Sequence, residues 1–430
     1  MRIEENKEPG IVETKRSDWA DLEIPLGKRT RKYRMLEILP GALSYTMILL
    51  LFVLSFISPI VGSYYLLLII ATTLVKAVGV VYRTVQGYNA TKRANKVDWH
   101  KRLADLEDPH GSYEKLMLVK SREFEFDEHV ENLKMISVGK DLVLSEKELD
   151  DNGRTPKIVF PKPNEIYHAV IMVAYNEGLD TLIPTVEAVK KSSFPNERTI
   201  FVFGYEERGG EAMRENAKIL AEKFKDDFCQ FIPVMHPKDL KDEIQGKGPN
   251  LNYAAGELVN YVKKAKIPIE NVIVTSLDSD NKMSKWYLDY VAYQFIVHPN
   301  RQKLSYQPVS LFTNNIWDAP APMRIIAISN SFFNIISSMR SHTLKNFASH
   351  SQPLLALSQM GFWSKKTIVE DGHQYWRSLF YFHGDYEVLP IHVAIYQDAV
   401  MEETFLKTLK AQFIQLRRWD YGASDVAYVG

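Results

Sequence analysis

Four places in the 430-residue chain combine residue types able to act on an anionic, polar substrate. Asp278, Ser279 and Asp280 follow the apolar run NVIVTSL, which sets two carboxylates at a strand end, where residues i and i+2 share a face. Such a pair can hold a hard divalent cation, magnesium or manganese, whose other positions go to water and diphosphate oxygens. A solvated turn, or the N-cap of a helix in MSKWYLDYV, explains the same acids. Lys247 lies in QGKGPNLNYAAG, a glycine-flanked helix start that would aim backbone donors and a cation at phosphate. The P-loop spacing is absent, and a surface lysine beside a turn is the plainer alternative. In KKTIVEDGHQYWRSL an apolar segment passes into an amphipathic helix at Glu370 and Asp371. Asp371 there is either an N-cap or a carboxylate able to take a proton from an attacking hydroxyl. His373 has no second histidine at zinc-ligand spacing. Gln415, Arg418 and Trp419 close FLKTLKAQFIQLRRW. Arginine pairs bidentately with phosphate and an indole face covers a sugar ring, while a basic helix lying on a membrane accounts for the stretch equally.

These residues need a frame. From Tyr167 the apolar runs YHAVIMV, TIFVF, FIPVM and NVIVTSL alternate with helical stretches such as GEAMRENAKILAEKF, the pattern of an α/β domain with a mainly parallel sheet. Ligands of such sheets sit beyond the carboxyl ends of the strands, here the loops AYNEG, GYEERGG and DSDN. Upstream, the uncharged runs 39–57 and 60–75 are each just long enough to cross a bilayer, and Ser58, Pro59, Gly62 and Ser63 suit a tight turn between them. Basic flanks on both sides, Lys28 to Arg34 and Arg83 to Arg102, keep both ends of this hairpin cytoplasmic. A signal peptide does not fit two runs that begin near residue 39. With 53 basic and 53 acidic residues there is no global field for nucleic acid, and none is expected as a partner. The single Cys229 excludes an intramolecular disulfide and a zinc ribbon. The expected organisation is a polar arm over 1–35, the hairpin over 36–85, a connecting subdomain over 86–165, a ligand- and metal-binding part over 166–320, and a part with interfacial helices over 321–430.

The order AYNE, GKGPNLN, DSD, VED and QLRRW, downstream of a membrane hairpin, resembles the membrane-integrated family 2 glycosyltransferases, the group of cellulose, hyaluronan and chitin synthases. The resemblance covers about residues 167–420. It implies a glycosyltransferase A-type domain in a cell inner membrane or plasma membrane, crossing it more than once, with the catalytic part in the cytoplasm. The implied reaction is inverting, cation-dependent sugar transfer from a nucleotide sugar, most simply a UDP-sugar, to a glycan or lipid acceptor, with polysaccharide synthesis as the expected outcome. Single transfer to a lipid and a non-catalytic membrane-anchored scaffold are the alternatives. Position by position, the resemblance gives Tyr175, Glu177 and Glu206 to the nucleotide and Lys247 to the diphosphate. Asp278 and Asp280 go to the cation, with Asp278 also near ribose. Asp371 becomes the general base, and Gln415, Arg418 and Trp419 frame the diphosphate and acceptor. Val173, Glu206 or Glu207, Val369 and Leu416 depart from the family pattern, which touches base preference more than chemistry. Members usually continue into further membrane helices, and this chain is expected to stop before them.

Overall fold

The computed structural model describes residues 22–24, 29–138 and 159–430. The expected arm over 1–21 and 25–28, and residues 139–158 of the connecting subdomain, lie outside the described residues. Seven helices build or support the site: α1 (Arg31–Ile57), α2 (Pro59–Ala94), α3 (Lys247–Lys264), α4 (Ala321–Ser338), α5 (Glu370–Tyr381), α6 (Phe405–Asp420) and α7 (Asp425–Val429). The strands are β1 (Tyr167–Ala174), β2 (Thr199–Glu206), β3 (Gln230–His236), β4 (Val272–Asp278), β5 (Lys282–Met283), β6 (Leu304–Phe312), β7 (His350–Pro353) and β8 (Glu387–Gln397).

The strands form one mixed sheet in the order β3-β2-β1-β4-β7-β6-β8-β5. The four strands expected from the apolar runs are β3, β2, β1 and β4, all parallel neighbours. β7 runs antiparallel between β4 and β6, β8 lies parallel to β6, and β5 is an antiparallel edge. The sheet is therefore mainly parallel but not purely so. Alternation splits the core between its two faces. Val170, Met172, Phe201, Phe203, Ile273 and Leu277 pack on one side. Ala169, Ile171, Val173, Ile200, Val202 and Val274 pack on the other, beneath Leu251, Ala255, Leu258 and Val262 of α3.

Helices α1 and α2 hold 27 and 36 residues, about 40 and 54 Å of helix, against a hydrocarbon core of about 30 Å. Thr30 caps α1 by accepting from the Tyr33 N–H. Ser58 alone separates the two helices, and Pro59 opens α2 at a position that needs no N–H donor. Gly62 lets the helices meet, since a Cβ there would lie 2.4 Å from Ser55 Oγ and 2.9 Å from its Cα. Both are long and apolar enough to cross a membrane, and their apolar windows have no buried residue, unlike a core helix. Both run past the uncharged stretches. At the far end of α2, Gly87 sits against α4, where a Cβ would lie 2.6 Å from the Ile335 carbonyl oxygen, and Ala94 enters the core.

The connecting segment also joins that core. Trp99 stacks on Tyr290 at 3.5 Å between ring centroids, which seats residues 86–138 on the sheet domain. Part of the expected polar arm is anchored too. Leu22 and Ile24 are buried, and Glu23 pairs with Arg377 of α5 at 3.1 Å and accepts from Ser364 Oγ at 2.7 Å.

Candidate active site

Strand β4 ends at Asp278, and Ser279 and Asp280 form the turn that follows. The second carboxylate is thus placed by a turn, a correction to the alternation expected of a continuing strand. Neither acid caps the next helix, whose N-cap is Trp286. Val173 of β1 lies beside both Gly204 of β2 and Asp278 of β4, so the three share the face covered by α3. At Gly204 a Cβ would lie 2.6 Å from Asn250 Oδ1, and Asn250 instead donates its amide to the Gly204 carbonyl at 3.3 Å. That seat fixes the first turn of α3, and with it Lys247, over the end of β4. Gly248 makes the second close approach. A Cβ there would be 2.4 Å from the Ser364 carbonyl oxygen and 3.1 Å from Glu370 Cβ, so α5 begins hard against α3.

The result is a bridge. Lys247 Nζ lies 2.5 Å from Asp278 Oδ1 and 3.7 Å from Glu370 Oε1. Burial opposes the ammonium charge, but Asp278, Glu370 and Asp371 outweigh it and raise the Lys247 pKa. The balance is reasonable, because a charge pair at 4 Å contributes about 4 kcal/mol at an effective dielectric near 20. Burial also pushes Asp278 up, yet Lys247 and then Arg418 bring its pKa below the usual carboxylate value. Among the described residues Asp280 has no such cation. Burial first, then Asp278 and Asp398, push its carboxyl up to about 7, and the Asp398 N–H at 3.4 Å offsets little of that. Glu370, buried at the start of α5, is also raised to about 7, by burial and by Asp371 and Asp278, with Lys247 pulling the other way. His350, buried at the first position of β7, is held neutral, its pKa lowered to about 3 by burial and by Lys247.

Asp371 is the second residue of α5. Val369 occupies the N-cap without a side-chain bond, so the capping role does not account for Asp371, whose Oδ1 accepts the Gly372 N–H at 2.7 Å. His373 turns away and meets Asp425 Oδ1 of α7 at 2.9 Å. The electrostatic partners thus tie Lys247, Asp278, Asp280, Asp371 and Arg418 to one place. Arg418 is exposed on the last turn of α6, and Trp419 sets its ring edge-on to Phe312 at the end of β6, centroids 6.3 Å apart. Gln415 accepts from Gln412 Nε2 at 3.0 Å within the same helix.

The nucleotide-side residues are arranged differently. Glu177 accepts from the backbone N–H groups of Tyr175 and Asn176 at 2.7 and 3.0 Å, so it shapes the loop beyond β1. Tyr175 is half exposed, with the Arg208 guanidinium 5.1 Å from its ring centroid. Glu206 is buried, and its Oε2 is already engaged by Arg208 at 3.1 Å and by His236 Nδ1 at 3.2 Å. Sequence reasoning missed Glu370, Asp398 and His350 as members of the site. Glu370 stands beside Asp371, but its reach to Lys247 depends on the Gly248 packing, while Asp398 directly follows β8 and His350 opens β7.

Among the described residues no group of three or more His, Cys, Asp or Glu side chains forms a metal-ligating cluster. The donor set at Asp278 and Asp280 nevertheless fits a hard cation. It offers carboxylate oxygen only, and burial together with the neighbouring Asp278 and Asp398 raises the Asp280 pKa. Magnesium commonly takes one or two protein carboxylates and draws its other oxygens from water and phosphate.

No protein-family model matches the chain, and no curated protein sequence does. Among solved structures it is similar to a mannosyltransferase from Pyrobaculum calidifontis in complex with GDP-Man and Mn2+, at 13% identity over 82% of this chain and 84% of that one, TM-score 0.37. It is also similar to S. aureus TarS 1–349, at 16% identity over 54% of this chain and 60% of that one, TM-score 0.34. The same TarS fragment in complex with UDP-GlcNAc aligns at 17% identity over 55% and 60%, TM-score 0.34.

Proposed function

We propose that the chain is an inverting family 2 glycosyltransferase that moves a sugar from a nucleotide sugar to a hydroxyl acceptor at the cytoplasmic face of a membrane, with polysaccharide synthesis as its role. One observation carries the reading: the lysine, the strand-end carboxylates, the acidic start of α5 and the QLRRW arginine interact within one site at the carboxyl ends of the strands.

In this reading Asp371 takes the proton of the acceptor hydroxyl as that oxygen bonds to the anomeric carbon, and the bond to the diphosphate breaks with its electron pair leaving on the diphosphate. Lys247 and Arg418 offset the charge that develops there. Asp280, with Asp278, would hold a divalent cation, which when bound supplies further electrostatic stabilisation of the diphosphate. Tyr175 would cover the nucleotide base, with Glu177 holding its loop and Glu206 holding Arg208 beneath the ring. Gln415 and Trp419 would face the acceptor. The hairpin would span the bilayer. Exposed Ile325, Phe332 and Phe333 of α4, with Leu406 and Phe413 of α6, would rest on its surface.

Single transfer to a lipid acceptor is the second reading, favoured by the same apolar faces beside the site. The deciding experiment offers a panel of uridine and guanosine nucleotide sugars to the bilayer-reconstituted protein and measures nucleoside diphosphate release and product mass. Release with a ladder of chain lengths supports the first reading, and one glycolipid mass the second. No release with any donor removes both.

A further inference from the structure

We propose that Lys247 is shared between Asp278 and Glu370, and that Glu370 is a positioning residue that receives the ammonium when a donor diphosphate and its cation claim Asp278. This rests on the nucleotide-sugar reading of the site. Lys247 is 2.5 Å from Asp278 and 3.7 Å from Glu370, so a small side-chain movement exchanges its stronger partner. The two acids differ in access. The Asp278 side chain is 32% exposed and that of Glu370 7%, so an incoming ligand meets the lysine from the Asp278 side and displaces it inward.

Like charges make the exchange necessary. An ammonium and a divalent cation on one carboxylate repel each other, so a cation arriving alone finds Asp278 occupied. A diphosphate removes the conflict by offering both positive groups oxygens of its own. Glu370 keeps the displaced lysine in the site. Gly248 packs against Ser364 and Glu370, which fixes the first turn of α5, and Asp371 follows on the same turn. Lys247 thus remains beside the proposed base in both positions. The consequence is that cation and nucleotide bind as a pair, and the nucleotide-free protein holds the cation weakly.

The test measures Mn2+ binding by the decrease of the free-ion electron paramagnetic resonance signal, with and without UDP or GDP, in the full chain and two variants. Lys247→Met frees Asp278 and should raise nucleotide-free Mn2+ affinity on the order of 10-fold, within the usual span of site coupling. Glu370→Gln removes the inner resting place, holds the lysine on Asp278, and should lower that affinity. Opposite directions are the signature, since a purely structural role would weaken binding in both. Thermal melts establish that each variant is folded, with Lys247→Gln replacing Lys247→Met if that one is not. Unchanged or weaker Mn2+ binding in the folded lysine variant overturns the exchange while leaving the nucleotide reading intact. Failure of the wild-type protein to bind UDP or GDP in the presence of Mn2+ overturns both.

Discussion

Two charged clusters stand at the carboxyl ends of different parallel strands of one sheet, and they are built on opposite principles. Beyond β2 and β3, His236 lies between Glu206 at 3.2 Å and Glu243 at 3.0 Å, with Arg208 on Glu206 and Lys365 on Glu243 at 3.1 Å each. Every acid there has a cation. Burial opposes the imidazolium, but the two glutamates raise its pKa to about 9, and despite burial Glu243 is brought below the usual carboxylate value by His236 and Lys365. Beyond β4, among the described residues, five carboxyls interact, Asp278, Asp280, Glu370, Asp371 and Asp398, with two cations, Lys247 and Arg418. The first cluster is complete in itself and reads as structure. The second has fewer cations than carboxyls, and perturbed carboxyls clustered at strand ends point to function.

The sharpest way to break this contrast is Asp371→Asn. It should cut transfer about 10²- to 10⁴-fold while donor affinity, measured by calorimetry, stays within a factor of a few. Near-normal turnover would end the assignment of the base. His236→Ala should be the most damaging change in the balanced cluster, costing about 1–3 kcal/mol of stability in urea melts, because two buried glutamates each lose a hydrogen-bond donor while keeping Arg208 and Lys365. Asp280→Asn should do the reverse, raising stability by about 0.5–2 kcal/mol in the absence of divalent cation as like charges are relieved. The same variant should lose cation-dependent transfer, and a lower melting temperature would contradict the picture of an unsatisfied site.

The smallest effect is a pH signature with two ramps. Asp280 and Glu370 have pKa values near 7, above their ordinary 3.8 and 4.5, so the stability they contribute is present below about pH 4 and is lost as pH rises through 7. His236, raised from 6.5 to about 9, contributes stability below pH 6.5 that is lost as pH rises through 9. Melting temperatures in chelator should follow both ramps, and saturating Mn2+ should flatten only the lower one.

How much of this was legible in the chain varies by region for physical reasons. β1, β2 and β4 are buried on both faces and show as unbroken apolar runs, while β3 at the sheet edge buries only alternate residues but still shows as FIPVM. β7 is equally buried but polar, because Ser351 joins Thr275 Oγ1 at 2.7 Å and the Tyr287 hydroxyl at 2.8 Å, so no hydrophobic pattern betrays it. β6 and β8 carry Pro308 and Pro390 and a register shift after Pro308, which disrupt any alternation. Lys247, Asp278 and Asp371 could be named from local motifs, whereas Glu370 and Asp398 gain their part only when distant elements converge. Glu206 shows the converse: the motif named it, but its carboxylate is engaged by Arg208 and His236 in the balanced cluster.

The close approach of Gly87 to Ile335 has a mechanical consequence. Further along α4, Ser331 Oγ accepts the Phe312 N–H at 3.0 Å, and Phe312 meets Trp419 of the QLRRW motif. An unbroken line of contacts therefore runs from the second apolar helix to the rim of the site. If that helix spans a bilayer as proposed, its tilt in thicker or thinner lipid must shift the tryptophan, and transfer rates should depend on acyl length in wild-type protein and less so in Gly87→Ala. Lipid composition would then act as a dial on the enzyme, without any regulator binding to it.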